Sequence, residues 1–391
     1  MQKQLKYRHL LPVLLSFFVM SFADLAGTGV DELKQSASTP RYILQLIPFV
    51  AFIWFFLLSV PVGIWQHRIG KKKVLNWGIM ITTLGLFVPI AGNTLPVILI
   101  AFSLVGVGNT IIQVSANPLL IELVPAGKAS SYMSFSQFLK SIGSMIGPFV
   151  AAVSGPKIAL WIGDNSGEGT WRYGLYLFGA ISMLTWGWLG AIQVEETTSK
   201  DGRATLMSCF RFLNNKFVAM MVLGIFLVVG IDVAMNSNIG NFLEMELGMD
   251  TEKAKYGKSM YFFAKMIGSF VGALVLTKLS PRIFLSVSSI LSIIALLALA
   301  FAANEEVAWL SIFVVSLGIS NIFPLIFTLT VAQFPERSNE ISGLMMMAIS
   351  GGAIVPFLVG VAMNVFPVAG ILTLALIAIY LAVLSMNNIS A

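Results

Sequence analysis

Long apolar runs recur along the whole chain. Each run holds about 20 residues, the length that a helix needs to cross the hydrocarbon core of a bilayer. The runs are continuous and lack the period-two alternation of barrel strands, so they predict helices and exclude a transmembrane β-barrel. We predict twelve spans, at roughly residues 9–33, 42–66, 74–92, 95–122, 130–154, 171–193, 215–241, 257–277, 283–302, 307–331, 341–365 and 368–386.

The composition indicates that lipid is the solvent for much of this surface. Of 391 residues, 57% are hydrophobic and 11% are charged, whereas a soluble domain carries about 25% charged residues. The first run is long and lacks a small-residue cleavage site, so we expect it to stay as the first span. The lipid bilayer is therefore an expected partner of the chain.

Topology follows from the lysines and arginines of the short loops, which are enriched on the cytoplasmic side. With the N-terminus inside, we assign 15 basic residues to the cytoplasm and 7 to the outside, which places both termini in the cytoplasm. The cytoplasmic set is Lys3, Lys6, Arg8, Arg68, Lys71, Lys72, Lys73, Lys128, Lys200, Arg203, Arg211, Lys216, Lys278, Arg282 and Arg337. The outside set is Lys34, Arg41, Lys157, Arg172, Lys253, Lys255 and Lys258.

Two short internal repeats divide the chain into halves. Residues 22–26 align with 230–234, and 147–150 align with 355–358, both at an offset of 208 residues. Parallel six-helix repeats around a midplane site are one construction of membrane transporters. We therefore predict an N-terminal six-helix bundle (1–194), a cytoplasmic linker (195–213) and a C-terminal six-helix bundle (214–391).

Few residue types for covalent or metal chemistry are present. Cys209 is the single cysteine, and His9 and His67 are the only histidines. So few cysteines and histidines exclude a cysteine metal cluster and argue against a Ser-His-Asp triad. We predict a chain that is not an enzyme, that holds no metal or organic cofactor, and that binds no nucleic acid.

Four ionisable residues interrupt the apolar runs: Asp24, Lys140, Asp232 and Lys265. A charge at the bilayer centre costs about 2.5 kcal/mol or more unless it is paired or hydrated. We predict the pairs Asp24–Lys140 and Asp232–Lys265, one in each half. The aspartates are candidate cation-coupling sites and the lysines candidate substrate contacts. Contact of one lysine with an anionic sugar is the sharper form of this hypothesis. Static structural ion pairs are the alternative.

The loop after the second span resembles a signature of the major facilitator superfamily. Residues 63–73 read GIWQHRIGKKK, similar to the family's G-x-x-x-D-R-x-G-R-K-K, with Gly63, Arg68 and Gly70 in place. The resemblance implies a gating motif between two helices. His67 stands where the family has an acid, and a simple positive-inside anchor is the other interpretation.

The fourth span resembles a sugar-transporting branch of that superfamily. Residues 108–118 read GNTIIQVSANP, similar to the G-x-T-L-L-Q-V-A-A-N-P stretch of the fucose–galactose–glucose:proton symporter family. The resemblance implies that Gln113 faces the sugar, with Asn117 one turn away. Amides can donate to and accept from neighbouring hydroxyls. Gln113 and Asn117 share a helix face at spacing i, i+4, and interhelical hydrogen bonding is the alternative role.

Further amides in the spans extend the candidate substrate site: Gln137, Asn236 and Asn321. They favour a polar cargo over the apolar drugs that wide hydrophobic cavities export. We expect a monomer that imports a sugar, neutral or acidic, with H⁺ or Na⁺ across a bacterial inner membrane by alternating access. A drug or metabolite exporter is the alternative within this fold. A membrane enzyme or receptor would need a clustered catalytic set or a soluble domain.

Overall fold

The computed structural model of the chain describes residues 7–25, 46–125, 127–164, 169–194, 205–254 and 256–387. Over these residues every regular element is helical, which confirms the predicted all-helical class. The α-helices are α1 (Tyr7–Met20), α2 (Leu46–Ile69), α3 (Lys71–Phe87), α4 (Leu95–Leu123), α5 (Ala129–Trp161), α6 (Trp171–Ala191), α7 (Leu206–Arg211), α8 (Lys216–Leu247), α9 (Thr251–Ala254), α10 (Tyr256–Val275), α11 (Pro281–Ala300), α12 (Glu305–Ile319), α13 (Ile322–Gln333), α14 (Ser338–Met347), α15 (Gly351–Met363) and α16 (Pro367–Asn387). Short 3₁₀ segments at Ser21–Leu25, Val88–Ala91, Phe212–Asn214, Pro335–Arg337 and Ala348–Ser350 extend or join them.

Nine helical stretches of the described chain are long and apolar enough to cross a membrane, or ten if the bent pair Ala129–Ala151 and Val153–Trp161 is one span. The nine are Leu46–Ile69, Lys71–Ala91, Leu95–Leu123, Trp171–Ala191, Lys216–Leu247, Pro281–Ala300, Glu305–Gln333, Pro335–Met363 and Pro367–Met386. The predicted first span contains the apolar helix His9–Leu25, which is shorter than the nine. The predicted eighth span contains α10, which is more polar than the nine. The chain is thus a multi-pass membrane protein, and its count of twelve spans stays a prediction.

Some sequence predictions fall outside the described residues. These are the end of the first predicted span (26–33), the first part of the predicted linker (195–204), and the topology residues Lys3, Lys6, Lys34, Arg41, Lys200, Arg203 and Lys255.

The chain forms two compact units. Unit 1 comprises Met1–Pro125 and Leu139–Leu206, and unit 2 comprises Ala126–Phe138 and Met207–Ala391. The first turns of α5 therefore pack with unit 2, where Ser131 donates to the Ala273 carbonyl at 2.6 Å and Ser130 is hydrogen-bonded to Thr328 at 2.8 Å. The predicted bundle boundaries remain a prediction.

Within each unit the two repeated segments meet. In unit 1, Leu25 beside Asp24 lies against Gly147 of α5. In unit 2, Val355 of α15 lies so close to Gly230 of α8 that a side chain at that glycine would collide with it. The internal repeat thus corresponds to one helix–helix contact that occurs in both units.

Candidate functional site

A strip of amides lies on α4 inside unit 1. Asn109, Gln113 and Asn117 are all buried, with Gln113 5% exposed. The Asn117 amide donates to the Gln113 backbone carbonyl at 2.8 Å, one turn back along the helix. The Gln113 side chain itself makes no hydrogen bond with a described residue, and the buried side-chain oxygen of Asn109 has no partner among the same residues. The strip therefore carries polar capacity that the described neighbours leave unused.

Asp24 is also in unit 1, in the 3₁₀ segment that continues α1. Its Oδ2 accepts a hydrogen bond from the Ser144 hydroxyl of α5 at 2.5 Å. Ser144 also lies within 3.1 Å of the Lys140 carbonyl, one turn earlier in α5. The expected ion pair between Asp24 and Lys140 is not among the ion pairs of the described side chains, and the Ser144 hydroxyl is the group that contacts this carboxylate.

Asp232 of α8 forms the predicted ion pair with Lys265 of α10. The Lys265 ammonium donates to Asp232 Oδ2 at 2.6 Å, and the Tyr261 hydroxyl donates to Oδ1 at 2.8 Å. Tyr261 is fully buried, and its own carbonyl accepts from Ser316 of α12 at 2.6 Å. Three helices thus hold the carboxylate, while the side chains of Asp232 and Lys265 remain 26% and 21% exposed.

The two aspartates are equivalent in sequence but have different partners. The 208-residue offset that relates Asp24 to Asp232 relates Ser144 to Gly352, which has no side chain to donate. Asp232 instead receives both of its hydrogen bonds from α10. The first unit therefore surrounds its aspartate with a neutral donor, and the second adds a cation.

The other predicted site amides occupy different environments. Asn321 is buried at the break between α12 and α13, and its amide donates to the Gly268 carbonyl of α10 at 2.8 Å. This is the interhelical role that the sequence left as an alternative for amides in the spans. Asn236 lies one turn after Asp232 on α8, and its buried side-chain oxygen has no hydrogen-bond partner among the described residues. Gln137 is half-buried near the end of the part of α5 that packs in unit 2.

The predicted gating motif forms the junction of α2 and α3. Gly63 is buried, Arg68 is exposed, and Gly70 has a φ of 94°, which the chain needs in order to reverse between the helices. The next residue, Lys71, is almost fully buried and forms an ion pair with Glu122 near the end of α4 at 2.6 Å.

Sequence reasoning missed the partners Ser144, Tyr261 and Glu122. Each of the two hydroxyl donors lies one turn from a predicted lysine: Ser144 from Lys140, and Tyr261 from Lys265. Residues spaced i, i+4 share a helix face, so each lysine marked the face from which the hydroxyl donates to the aspartate. Glu122 is an acid near the end of an apolar run, a signal that could have been matched to the basic cluster after the second span.

No three His, Cys, Asp or Glu side chains come together as metal ligands over the part of the chain that the structure describes. The polar groups of these clusters are suited to reversible binding. The amides can bind hydroxyls, the ammonium can bind an anion, and the carboxylates can bind a proton or a small cation.

Comparison with known proteins places these clusters in a family context. The family model described as Major Facilitator Superfamily matches residues 13–356. A glucose/galactose transporter of Brucella abortus biovar 1 (strain 9-941) is 27% identical over 358 residues, which cover 88% of this chain and 85% of the relative. A putative glucose/galactose transporter of Helicobacter pylori (strain J99) is 28% identical over 358 residues, with coverage of 88% and 86%.

Solved structures share the fold. A crystal structure of the Escherichia coli fucose:proton symporter matches with a TM-score of 0.81 at 20% sequence identity, covering 98% of this chain and 100% of the other. At that identity the likeness establishes the helical architecture only. The transported substrate has to be inferred from the residues of the site.

Proposed function

The chain belongs to the major facilitator superfamily, and we propose that it imports a monosaccharide or a close derivative by alternating access, coupled to H⁺ or Na⁺. Relatives at 27–28% identity that carry the name glucose/galactose transporter support a sugar as the cargo. In this mechanism two halves rock about a midplane site, and only the empty or the fully loaded carrier reorients.

The observation that carries the proposal is the Gln113 amide. It is 5% exposed inside unit 1 and has no hydrogen bond to a described residue. An unbonded amide in a membrane bundle is costly unless a ligand or water meets it. Neighbouring sugar hydroxyls match the paired donor and acceptor of this group. A transporter of apolar drugs would gain nothing from these buried amides.

Asp24 is the proposed coupling site. A carboxylate whose only partner among the described residues is the Ser144 hydroxyl retains capacity for a proton or Na⁺. Because neutralising the carboxylate lowers the free energy of exposing it to a dry environment, cation binding would permit the loaded carrier to reorient.

The proposed setting is a bacterial cytoplasmic membrane, crossed twelve times, with both termini in the cytoplasm and the monomer as the working unit. The remaining predicted site residues (Asn117, Gln137, Lys140, Asn236, Asn321) are proposed to complete the substrate site, and Gly63, Arg68 and Gly70 to form the gating junction. Asn321 would contribute only its side-chain oxygen, because its amide nitrogen is already bonded to the Gly268 carbonyl. No organic cofactor takes part in this cycle.

Counterflow in proteoliposomes tests the proposal. Proteoliposomes that contain the purified protein are loaded with unlabelled D-galactose or D-glucose. Entry of the labelled sugar is then followed for the parent and for Gln113→Ala. We expect exchange in the parent and a loss of about tenfold or more in the variant, since one lost amide removes two substrate hydrogen bonds.

Gln333→Ala is the matched control, because Gln333 is exposed at the end of α13. It should exchange like the parent. Equal exchange by Gln113→Ala and the parent would show that the Gln113 amide does not bind the sugar. A folded parent that exchanges no sugar would contradict the proposed function.

A further inference from the structure

The Asp232–Lys265 pair differs from an ordinary structural ion pair because part of it remains accessible. The Lys265 and Asp232 side chains are 21% and 26% exposed. The Lys265 ammonium has three N–H donors, and among the described residues it uses one, on Asp232 Oδ2. The remaining donors can bind another anion without any movement of α8 or α10.

Asp232 has a second anchor that does not depend on the lysine. The buried Tyr261 hydroxyl donates to Oδ1, and the Tyr261 backbone is itself tied to Ser316 of α12. Loss of Lys265 as a partner would therefore leave the carboxylate in place. The pair can open at Oδ2 while Oδ1 stays hydrogen-bonded.

Among the described residues, no other charged side chain on the helices that pack on α8 contacts Asp232. Within their described lengths, α13 and α15 carry no titratable residue, and Tyr380 of α16 donates to the Met220 carbonyl near the start of α8. Glu305 and Glu306 lie in the first turn of α12, where Glu305 pairs with Lys253 of α9, and Glu340 of α14 pairs with Arg337. The titratable groups that face Asp232 are Tyr261 and Lys265 of α10.

We propose that Lys265 selects a sugar acid, such as an aldonate or a uronate, whose carboxylate takes the place of Asp232 on the ammonium, while Asp232 takes up one proton. This inference rests on the proposed sugar transport and names its substrate class. A neutral hydroxyl cannot replace the charge that Lys265 would lose, whereas a carboxylate can.

The charge balance explains the coupling to a proton. The closed pair is neutral; an added carboxylate makes the cluster singly negative, and a proton from water on Asp232 restores neutrality. In a membrane interior of low dielectric, the neutral state has the lower free energy. Each sugar anion would therefore enter with one proton, and binding would tighten as the pH falls.

The test measures counterflow of labelled D-glucuronate and labelled D-galactose at pH 6 and pH 8. The parent is compared with Lys265→Met, the charge-conserving Lys265→Arg, and Lys258→Met, a matched control on an exposed position of the same helix. We expect glucuronate exchange in the parent that is faster at pH 6. It should fall at least about tenfold in Lys265→Met and persist in Lys265→Arg and Lys258→Met.

Asp232→Asn separates this role from a structural one. It removes the competitor for Lys265, so glucuronate should bind more tightly and lose its pH dependence. If the ion pair only holds the helices together, the same variant should lower the melting temperature and weaken exchange of both sugars.

Galactose exchange without glucuronate exchange would overturn the inference and leave the proposed function standing. Glucuronate exchange that is unchanged in Lys265→Met would also overturn it. Failure of the folded parent to exchange either sugar would contradict both proposals.

Discussion

A hydroxyl group holds each of the two membrane aspartates: Ser144 holds Asp24, and Tyr261 holds Asp232. The sequence predicted that Asp232 and Lys265 pair, because they are the ionisable residues of neighbouring apolar runs. It could not predict the partner of Asp24. Lys140 and Ser144 are spaced i, i+4 and share one face of α5, so the sequence offered two partners for the same carboxylate.

Cys209 offers a test of the structure at the residue scale. The thiol is fully buried on α7, and burial, together with the Glu340 carboxylate, raises its pKa from 9.0 to about 11. The reactive thiolate should therefore be about a hundredfold scarcer at pH 8 than for an ordinary thiol. We expect the native protein to resist maleimide at pH 8 and to label after denaturation.

A cysteine at the neighbouring position provides the control for that experiment. Met207 is 72% exposed, so Met207→Cys in a Cys209→Ser background should label quickly in the native state. Equal rates for the two single-cysteine proteins would contradict the buried position of Cys209. Because the folded thiol holds its proton more tightly, its contribution to stability should be present below pH 9 and be lost as the pH rises through about 11.

Two long helices, α5 and α8, extend several residues beyond the apolar runs that predicted them. The seventh span was predicted at 215–241, and α8 runs from Lys216 to Leu247. Asn215 caps its start by accepting from the Val218 N–H, and Gly248 ends it in the left-handed conformation. Hydropathy detects where a helix is in lipid, whereas caps decide where it ends, so the predicted start of this span agrees to within about one residue and its predicted end is about six residues early.

Hydropathy alone does not predict where a helix breaks inside a membrane span. The tenth predicted span, 307–331, consists of α12 and α13 with a break at Ser320 and Asn321. Pro324 has no N–H for the Ser320 carbonyl, and the Asn321 amide bonds to the Gly268 carbonyl. An apolar run looks the same whether its helix is continuous or broken.

The junction of α2 and α3 yields a prediction at the scale of elements. Gly70 has φ 94° and ψ 147°, a conformation that a residue with a Cβ adopts only at a strain of about 1–3 kcal/mol. Gly70→Ala should therefore lower the melting temperature in detergent. Gly187→Ala is the matched control, because no atom lies within 4 Å of a Cβ at this helical glycine and alanine there should stabilise the helix by about 0.5–1 kcal/mol.

If Gly70→Ala melted at or above the temperature of the parent, the left-handed junction would be wrong. A lower melting temperature in both variants would indicate that glycine is required for reasons other than backbone conformation.

At the scale of the whole molecule, the internal repeat is the feature that organises function. The repeat places an aspartate at equivalent positions of the two units, and each repeat pair packs one helix on another. The units then differ in chemistry: unit 1 combines an aspartate with a strip of amides, and unit 2 combines an aspartate with a lysine. A shared scaffold with unequal polar groups is suited to binding two different species, a sugar and a cation.

The most direct measurement is concentrative uptake into proteoliposomes of labelled D-galactose, driven by a proton or sodium gradient, in the parent and in Asp24→Asn. A coupled importer predicts that the parent accumulates sugar above equilibrium under one of these gradients. Asp24→Asn should still perform counterflow but only equilibrate the sugar, because it cannot bind the driving cation. Equal accumulation by Asp24→Asn and the parent, or a parent that only equilibrates sugar under either gradient, would contradict cation-coupled import.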